Sequence, residues 1–217
     1  MSADPGRARR LLLAAATALA VTACAPRLRP LTGTAPDVVR LPSSGISEGH
    51  AKIVFDWELQ DPDLVARGEG VARTASPDSA RLDFFVAGGL GAGAAVLIRD
   101  ELRAPGPDMI RRVVPPAPLL WATLGRLAIP PEPDTVARVD GDLLRADIGR
   151  PVRWRVTFRG DTLVRLERVD GARVLEWVER SSPSRVRYRH EVARRQLTLT
   201  VASQEPAPPF DASIWRF

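Results

Sequence analysis

Apolar and polar residues alternate along most of the chain between residues 50 and 201. In residues 51–59 every odd-numbered position is apolar, whereas the even-numbered positions include Lys52, Asp56 and Glu58. Because successive side chains of a β-strand point to opposite faces, this period of two predicts a strand with one apolar face. The same pattern recurs as far as residue 201, with short turns such as residues 159–162 and 169–172 between the segments. It predicts about ten strands in all.

One stretch has the composition of a helix instead. It runs from Ala117 to Leu127, and pairs of prolines flank it on both sides. A single helix cannot cover a sheet of about ten strands, so the sheet must pair with a second sheet or curl around its own apolar face. Consecutive hairpins favour curling. We therefore expect a mainly β fold with a single strongly curved antiparallel sheet, an incomplete barrel of about ten strands, and one or two short lid helices across its mouth.

The apolar face of this sheet supplies a core and a candidate cavity. A strongly curved sheet encloses space that large side chains must fill or leave open. An open apolar space would bind acyl chains, because burial of each methylene group contributes about 0.8 kcal/mol. Trp121 is a candidate for the lid, with ordinary helix-to-sheet packing as the alternative. The candidates for the core or for the lining of an acyl-chain cavity are Ile53, Phe55, Trp57, Leu82, Phe84, Trp154, Val156, Phe158 and Trp177.

The start of the chain has the pattern of an export signal. Three arginines within residues 7–10 precede an apolar run, residues 11–20. This run is too short to span a bilayer, which takes about 20 residues, and it is typical of a signal peptide. It leads to Val21-Thr22-Ala23-Cys24, which resembles the bacterial lipobox. We predict a lipoprotein signal peptide in residues 1–23 and lipidation of Cys24 with palmitate-type acyl chains; an ordinary cleaved signal with an incidental cysteine is the alternative.

The residues after the cysteine bear on location and domain organisation. Ala25 follows Cys24, and the absence of an aspartate there favours the periplasmic face of the outer membrane over retention at the inner membrane. Four prolines lie between residues 26 and 42 with scattered Gly, Ser and Thr, which predicts a tether in residues 24–48. Residues 49–217 then form one domain.

Charge excludes one class of partner. The net charge is +5, and it falls to +3 for residues 24–217, which hold 28 basic and 25 acidic residues. No basic block is interleaved with aromatic residues, so nucleic acid is not an expected partner. The arginines that alternate with the apolar face predict a solvated outer face or a surface for anionic lipid headgroups or an acidic partner. They are Arg153, Arg155, Arg159, Arg185, Arg187 and Arg189.

Catalysis finds little support in the sequence. His50 and His190 are the only histidines and lie 140 residues apart, and Cys24 is the only cysteine. The pairs Asp61/Asp63 and Asp140/Asp142 surround Pro62 and Gly141, which is typical of turns. We therefore expect neither an enzyme nor a metal site, and no cofactor.

The segment FFVAGGLGAGAAVLIRD, residues 84–100, places Leu90 among four glycines. A dinucleotide-binding loop would need a helix after the glycines, whereas the residues that follow are strand-like. A plain hairpin whose glycines supply positive φ is one interpretation. The other is that Leu90 protrudes to contact acyl chains or the bilayer, where burying one leucine contributes about 1.5–3 kcal/mol.

Together these features resemble the LolA/LolB family of lipoprotein-sorting proteins, and LolB, the lipidated outer-membrane receptor, more closely than LolA. The resemblance covers roughly residues 50–217. It rests on the lipobox, the half-barrel pattern, the GGLG tip, the helical stretch LLWATLGRLAIP and the ending PFDASIWRF. It departs from the family in lacking a proline between the tip glycines and in replacing an initial helix with a proline-rich segment.

The resemblance implies a function. The protein would bind lipid acyl chains or lipoprotein cargo in the cavity, receive that cargo from a LolA-like periplasmic carrier, and insert it into the outer membrane without a covalent step. The alternative is a structural or assembly lipoprotein whose barrel is filled and which acts through protein contacts. A hollow of several hundred Å³, the size of a ligand pocket, would favour the first function, and a filled interior would favour the second.

Overall fold

The structure is a computed structural model that describes residues 26–46, 48–88, 92–105, 108–130 and 132–216. It contains twelve strands, two α-helices and a 3₁₀ helix over Ala212–Trp215. The helices are α1 (Asp108–Val113) and α2 (Ala117–Thr123). The strands are β1 (His50–Asp61), β2 (Leu64–Ala75), β3 (Ser79–Val86), β4 (Ala92–Ile98), β5 (Glu101–Arg103), β6 (Val136–Asp140), β7 (Leu143–Ile148), β8 (Trp154–Arg159), β9 (Thr162–Asp170), β10 (Arg173–Ser182), β11 (Arg185–His190) and β12 (Arg195–Ala207).

All twelve strands form one antiparallel sheet in the order β5-β4-β3-β2-β1-β12-β11-β10-β9-β8-β7-β6. Every pair is a sequential hairpin or meander contact except β1 with β12, which joins the start of the domain to its last strand. The two edge strands, β5 and β6, do not pair with each other, so the sheet is not closed. The predicted fold class, a curved antiparallel sheet with short helices, is confirmed.

The antiparallel order sorts the turns into two ends. The turns between β1 and β2, β7 and β8, β9 and β10, and β11 and β12 lie at one end, which we name the β9–β10 end. The turns between β2 and β3, β4 and β5, β6 and β7, β8 and β9, and β10 and β11 lie at the opposite end, which we name the β8–β9 end.

Helix α2 is shorter than the sequence predicts. It begins at Ala117 as expected but ends at Thr123 rather than at Leu127. Gly125 has φ +89°, a left-handed conformation that stops a helix. The N–H groups of Leu124 and Arg126 both donate to the carbonyl of Trp121, which closes the last turn. Helix α1 is a single six-residue segment that the sequence analysis did not predict.

The core lies between the concave face of the sheet and the two helices. Leu119, Leu120 and Trp121 of α2 are fully buried. On the sheet, the rings of Phe55 and Phe84 meet edge to face with their centroids 5.7 Å apart. Burial of each such side chain contributes about 1.5–3 kcal/mol, so the helical segment and the sheet stabilise each other through one shared apolar cluster.

The described part of the predicted tether is hydrogen-bonded to the sheet. The N–H of Leu28 donates to the carbonyl of Ala172 over 2.8 Å, and the N–H of Val174 donates to the carbonyl of Pro26 over 2.9 Å. Thr34 exchanges two backbone hydrogen bonds with Val139 on the edge strand β6. Residues 26–34 therefore run from the start of β10 to β6, and we name them the strap.

Among the described residues, no helix combines the length and the apolar character that crossing a membrane requires.

Candidate ligand-binding site

Of the ten residues predicted for the core, the cavity or the lid, eight lie on the concave face of the sheet. A ninth, Trp121, lies on α2, the helix that covers this face. The structure brings these nine together in one cluster that includes the buried residues of α2. Seven of them are buried, namely Phe55, Trp57, Leu82, Phe84, Trp121, Val156 and Phe158. Ile53 and Trp154 are half-buried and pack against the same cluster.

The prediction for Trp177 is wrong, because its indole lies on the outer face of the sheet. There it donates a hydrogen bond to Glu191 over 2.7 Å, and the guanidinium of Arg165 stacks over its ring at 4.3 Å. The segment VLEWV around it is apolar on both faces, so alternation alone does not orient the strand. The side that faces inward carries Glu176, a charged residue that sequence reasoning places in solvent.

Glu176 faces inward because the fold supplies partners for its carboxylate. Arg168 forms an ion pair with one of its oxygens, and the hydroxyl of Tyr188 donates to the other over 3.1 Å. His190 stands 3.6 Å away, beyond hydrogen-bond distance. Only 2% of the Glu176 side chain is exposed. Burial, followed by the nearby Glu176 carboxylate, raises the pKa of Tyr188 well above its usual range. A buried, fully partnered carboxylate of this kind is stable, whereas an unpaired one would be costly.

This polar cluster lies across neighbouring strands near the β9–β10 end. Arg168, Glu176 and His190 are direct cross-strand partners on β9, β10 and β11. The row continues through Arg195 on β12, which forms an ion pair with Asp61 at 2.9 Å. The concave face therefore ends in charged groups on this side. The alternation of residues 185–190 was visible in the sequence, but nothing in it indicated that these particular side chains would meet.

The apolar hollow beneath α2 is almost completely filled. A small apolar cavity of about 40 Å³, partly open to solvent, remains between the sheet and the C-terminal end of the helix. Ile53, Phe55 and Leu82 line it from the sheet, and Thr123 and Leu124 line it from the helix. Since one water molecule takes up about 30 Å³ in the liquid, this space does not hold an acyl chain. The hollow expected from the sequence is thus occupied, and its occupant is a helix rather than the side chains of the sheet alone.

An open cleft of about 350 Å³ adjoins this small cavity. Ser43–Ile46 form one wall, and the turn between β8 and β9 forms another. The two spaces share four lining residues, so the cleft leads toward the cavity: Ile53, Leu124, Arg180 and Gln204.

Arg180 of β10 lies between the cleft and the cavity. Its guanidinium donates a hydrogen bond to the main-chain carbonyl of Thr123 over 2.5 Å. Burial lowers the pKa of Arg180, although an arginine remains protonated in proteins. Two more hydrogen bonds hold the same part of the chain: the indole of Trp121 donates to the carbonyl of Arg99, and the N–H of Leu127 donates to the hydroxyl of Ser44. The end of α2 is therefore held by a few polar contacts above an apolar floor.

The outward arginines are less free than the sequence predicted. Arg155 is buried, because it forms an ion pair with Asp147 and donates to the carbonyl of Arg29 in the strap. The strap covers this part of the outer face, and alternation within a strand does not report what lies on top of it. Three of the other arginines predicted for the outer face pair with carboxylates at the surface: Arg153 with Glu132, Arg159 with Asp142, and Arg189 with Glu191.

Two predicted functional residues, Cys24 and Leu90, lie outside the described residues. The strands on either side of the glycine tip, β3 and β4, pair as an antiparallel hairpin. A strand therefore follows the glycines where a dinucleotide-binding loop would need a helix. Among the described residues, no three His, Cys, Asp or Glu side chains are grouped so that they could hold a metal ion.

Comparison with known proteins identifies the fold. No protein-family model matches the sequence, and no curated protein sequence matches it. A solved structure of a LolA-superfamily protein from Nitrosomonas europaea superposes with a TM-score of 0.50 at 10% identity, over 78% of this chain and 91% of the other. The chain has a LolA-type fold.

Two further structures are similar to a lesser degree. A DUF1329-family protein from Desulfovibrio piger matches with a TM-score of 0.47 at 9% identity, over 78% of this chain and 90% of its own. A domain assigned to outer-membrane lipoprotein sorting, from Vibrio parahaemolyticus, matches with a TM-score of 0.49 at 6% identity, over 77% and 89%. The expected greater likeness to LolB within the LolA-type fold has no support in these comparisons.

Proposed function

We propose that this protein is a lipoprotein anchored to the outer membrane through Cys24, and that it binds lipid acyl chains or lipoprotein cargo on the concave face of its sheet. In this proposal α2 occupies the place on the sheet that an acyl chain takes when cargo binds. The observation that carries the proposal is the nature of the filling: a short helical segment, not a second sheet, covers the apolar face.

The burial free energies of α2 and of an acyl chain on the concave face are comparable. Leu119, Leu120 and Trp121 are the fully buried large side chains of α2, and burial of each contributes about 1.5–3 kcal/mol. An acyl chain of about 16 carbons would contribute about 12 kcal/mol at 0.8 kcal/mol per methylene. The polar contacts at the helix end contribute only about 0.5–1.5 kcal/mol each. An acyl chain can therefore displace the helix, and the helix can shield the apolar face from water when no chain is bound.

The exchange requires no chemical step. Burial of the same hydrocarbon drives each transfer, from a LolA-like periplasmic carrier to this protein and from this protein into the bilayer. We propose that the protein is not an enzyme and needs no cofactor, and that it acts as a LolB-like receptor at the periplasmic face of the outer membrane. Leu90 on the glycine tip would contact the acyl chain or the bilayer during the last step.

Binding of a dansyl-labelled C11 fatty acid to the protein tests the proposal. We expect saturable binding and an increase in dansyl fluorescence. We also expect residues 108–127 to lose their protection from proteolysis as the helix leaves the sheet. A carrier-to-receptor transfer assay with Leu90→Glu then tests the tip. Absence of saturable binding, together with purification free of co-bound lipid by native mass spectrometry, would exclude an acyl-chain binder.

The alternative function is a structural or assembly lipoprotein that acts through protein contacts. The observation that favours it is the small size of the apolar cavity at the end of α2, about 40 Å³. In that case α2 is a permanent part of the core, and the fatty acid leaves the proteolysis pattern of residues 108–127 unchanged.

A further inference from the structure

We infer that the β9–β10 end of the sheet rests against the lipid bilayer, and that the strap holds it there. The inference depends on one part of the proposed function, the lipidation of Cys24. It adds an orientation: the domain lies on the membrane surface with one defined end down, instead of moving on a flexible tether.

The strap begins at the turn between β9 and β10, close in sequence to the lipidated cysteine. Pro26 accepts a hydrogen bond from the N–H of Val174, and Arg27 forms an antiparallel bridge with Arg173 at the turn between β9 and β10. Cys24 precedes Pro26 by two residues. Because an extended chain spans at most about 3.3–3.6 Å per residue, the lipidated cysteine stays within about 7 Å of Pro26. The acyl chains must therefore enter the bilayer next to this turn.

Side-chain and backbone hydrogen bonds hold the strap against the sheet. The carbonyl of Arg29 accepts a hydrogen bond from Arg155, whose guanidinium also pairs with Asp147 through two hydrogen bonds of 2.6 and 2.9 Å. Thr34 is fixed to Val139 by two backbone hydrogen bonds of 2.8 and 2.9 Å. The strap is thus attached at its beginning, middle and end. A tether that detached from the sheet would lose all of these contacts.

Large apolar side chains are exposed at the β9–β10 end. Val65 on β2 is 73% exposed, Val192 in the turn between β11 and β12 is 68% exposed, and Phe85 near the end of β3 is 47% exposed. The other large exposed apolar residues in the described part of the chain, Val38 and Val39, lie outside the sheet. Exposed aliphatic and aromatic side chains at one end of a sheet suit contact with a bilayer interface.

The two ends of the sheet differ in charge. The four described turns at the β9–β10 end, each with its flanking residues, carry five arginines and four carboxylates; the strap adds Arg27 and Arg29, and the segment before β6 adds Glu132, which pairs with Arg153, and Asp134. The five turns at the β8–β9 end carry three arginines and six carboxylates. An anionic lipid surface attracts the first end and repels the second. The arginines of the first set are Arg150, Arg153, Arg173, Arg194 and Arg195, and the carboxylates of the second are Asp78, Asp100, Glu101, Asp140, Asp142 and Asp161.

This orientation decides which way the candidate binding site faces. The cleft beside Arg180 includes residues 161–163 from the turn between β8 and β9. With the β9–β10 end on the bilayer, the cleft faces away from the membrane. Cargo delivered from the aqueous side would reach it without passing beneath the domain.

Site-directed fluorescence on the full-length protein in vesicles tests the inference. The protein is reconstituted in phosphatidylethanolamine–phosphatidylglycerol vesicles that carry a headgroup-linked quencher. Single variants Val65→Cys and Val192→Cys report on the β9–β10 end, and Asp142→Cys, also at an exposed turn, reports on the β8–β9 end. We expect several-fold stronger quenching of labels at residues 65 and 192 than at residue 142. Equal quenching at both ends, or stronger quenching at residue 142, would overturn the orientation.

A second variant tests the strap as the cause. Insertion of a long Gly-Ser segment between Ala25 and Pro26 lets the anchor move away from the turn, so the difference between the two ends should shrink. A difference that survives the insertion unchanged would remove the strap from the explanation. Intact mass measured on the same samples reports the acylation of Cys24. A chain without acyl groups would overturn the anchor itself, whereas fatty-acid binding on the concave face is measured separately and does not enter this test.

Discussion

The guanidinium of Arg180 donates a hydrogen bond to the carbonyl of Thr123 and so joins β10 to the last residue of α2. This contact lies where the open cleft meets the small apolar cavity. If α2 must leave the sheet for an acyl chain to bind, the strength of this contact sets part of the cost of binding.

Arg180→Gln should therefore strengthen fatty-acid binding. Losing one hydrogen bond worth about 0.5–1.5 kcal/mol lowers the cost of displacing the helix and raises the apparent affinity by up to about tenfold. Titration with the dansyl fatty acid measures the change. Arg185→Gln, at the exposed turn that follows β10, is the matched control and should leave the affinity unaltered. Equal affinities for Arg180→Gln and the unmodified protein would show that this contact does not restrain the helix.

Leu120→Ala should weaken the fold and enlarge the cavity together. Leu120 is fully buried between α2 and the sheet, and such truncations cost about 2–5 kcal/mol. We expect a lower urea midpoint in chemical unfolding and tighter binding of the fatty acid, because less apolar contact must be broken. Val65→Ala, a truncation at an exposed site, should change neither. A destabilised variant that binds no more tightly would indicate that the ligand does not replace the helix.

Tyr188 should resist ionisation until the protein unfolds. It is the only tyrosine in the chain, so tyrosinate absorbance reports on this residue alone. Burial and the Glu176 carboxylate raise its pKa in the folded state, whereas an unfolded tyrosine ionises near pH 10. The resulting stability is fully present below about pH 10 and is lost as the pH rises above it. Tyrosinate appearing near pH 10 in the folded protein, judged by circular dichroism, would contradict the buried placement.

Tyr188→Phe should lower stability at neutral pH. The substitution leaves one oxygen of Glu176 without the hydroxyl that donates to it, which costs about 1–3 kcal/mol. It should also abolish the part of the alkaline stability loss that comes from tyrosine ionisation. Urea unfolding at pH 7 and at high pH measures both effects. Loss of stability above pH 10 that is identical in the variant would assign that loss to other groups.

Gly93→Val should dislodge α1. A Cβ atom at position 93 would lie 2.1 Å from Cγ1 of Ile110, so the helix has to shift. We expect a loss of about 1–3 kcal/mol, as for other overpacked cores. Gly45→Ala is the control, because nothing lies within 4 Å of a Cβ there. Ile110→Ala in the Gly93→Val background should recover part of the loss, and a purely additive double variant would refute the contact.

Local patterning identified the sheet but not its edges. The period of two is strong in β1, β3, β8, β11 and β12, and all were predicted. Strands β5, β6 and β7 were missed: β5 has three residues, VARVD in β6 gives only one full alternation of apolar and polar positions, and LLRADI in β7 opens with two adjacent leucines that interrupt the alternation. The turn at Asp140–Gly141–Asp142 was predicted correctly, because its residue types favour a turn wherever it occurs.

The sequence by itself determined that this chain folds as one curved antiparallel sheet with an apolar inner face and a short covering helix, since these features follow from local periodicity and from the need to bury one face. Only the tertiary structure decided what fills that face, why Glu176 points inward while Trp177 points outward, and where residues 26–34 lie. Each of these depends on partners distant in sequence: Tyr188 and Arg168 for Glu176, Arg165 for Trp177, and the turn before Val174 for the strap. A buried charge or a docked segment is stable only when those partners meet it in space, and alternation along one strand carries no information about them.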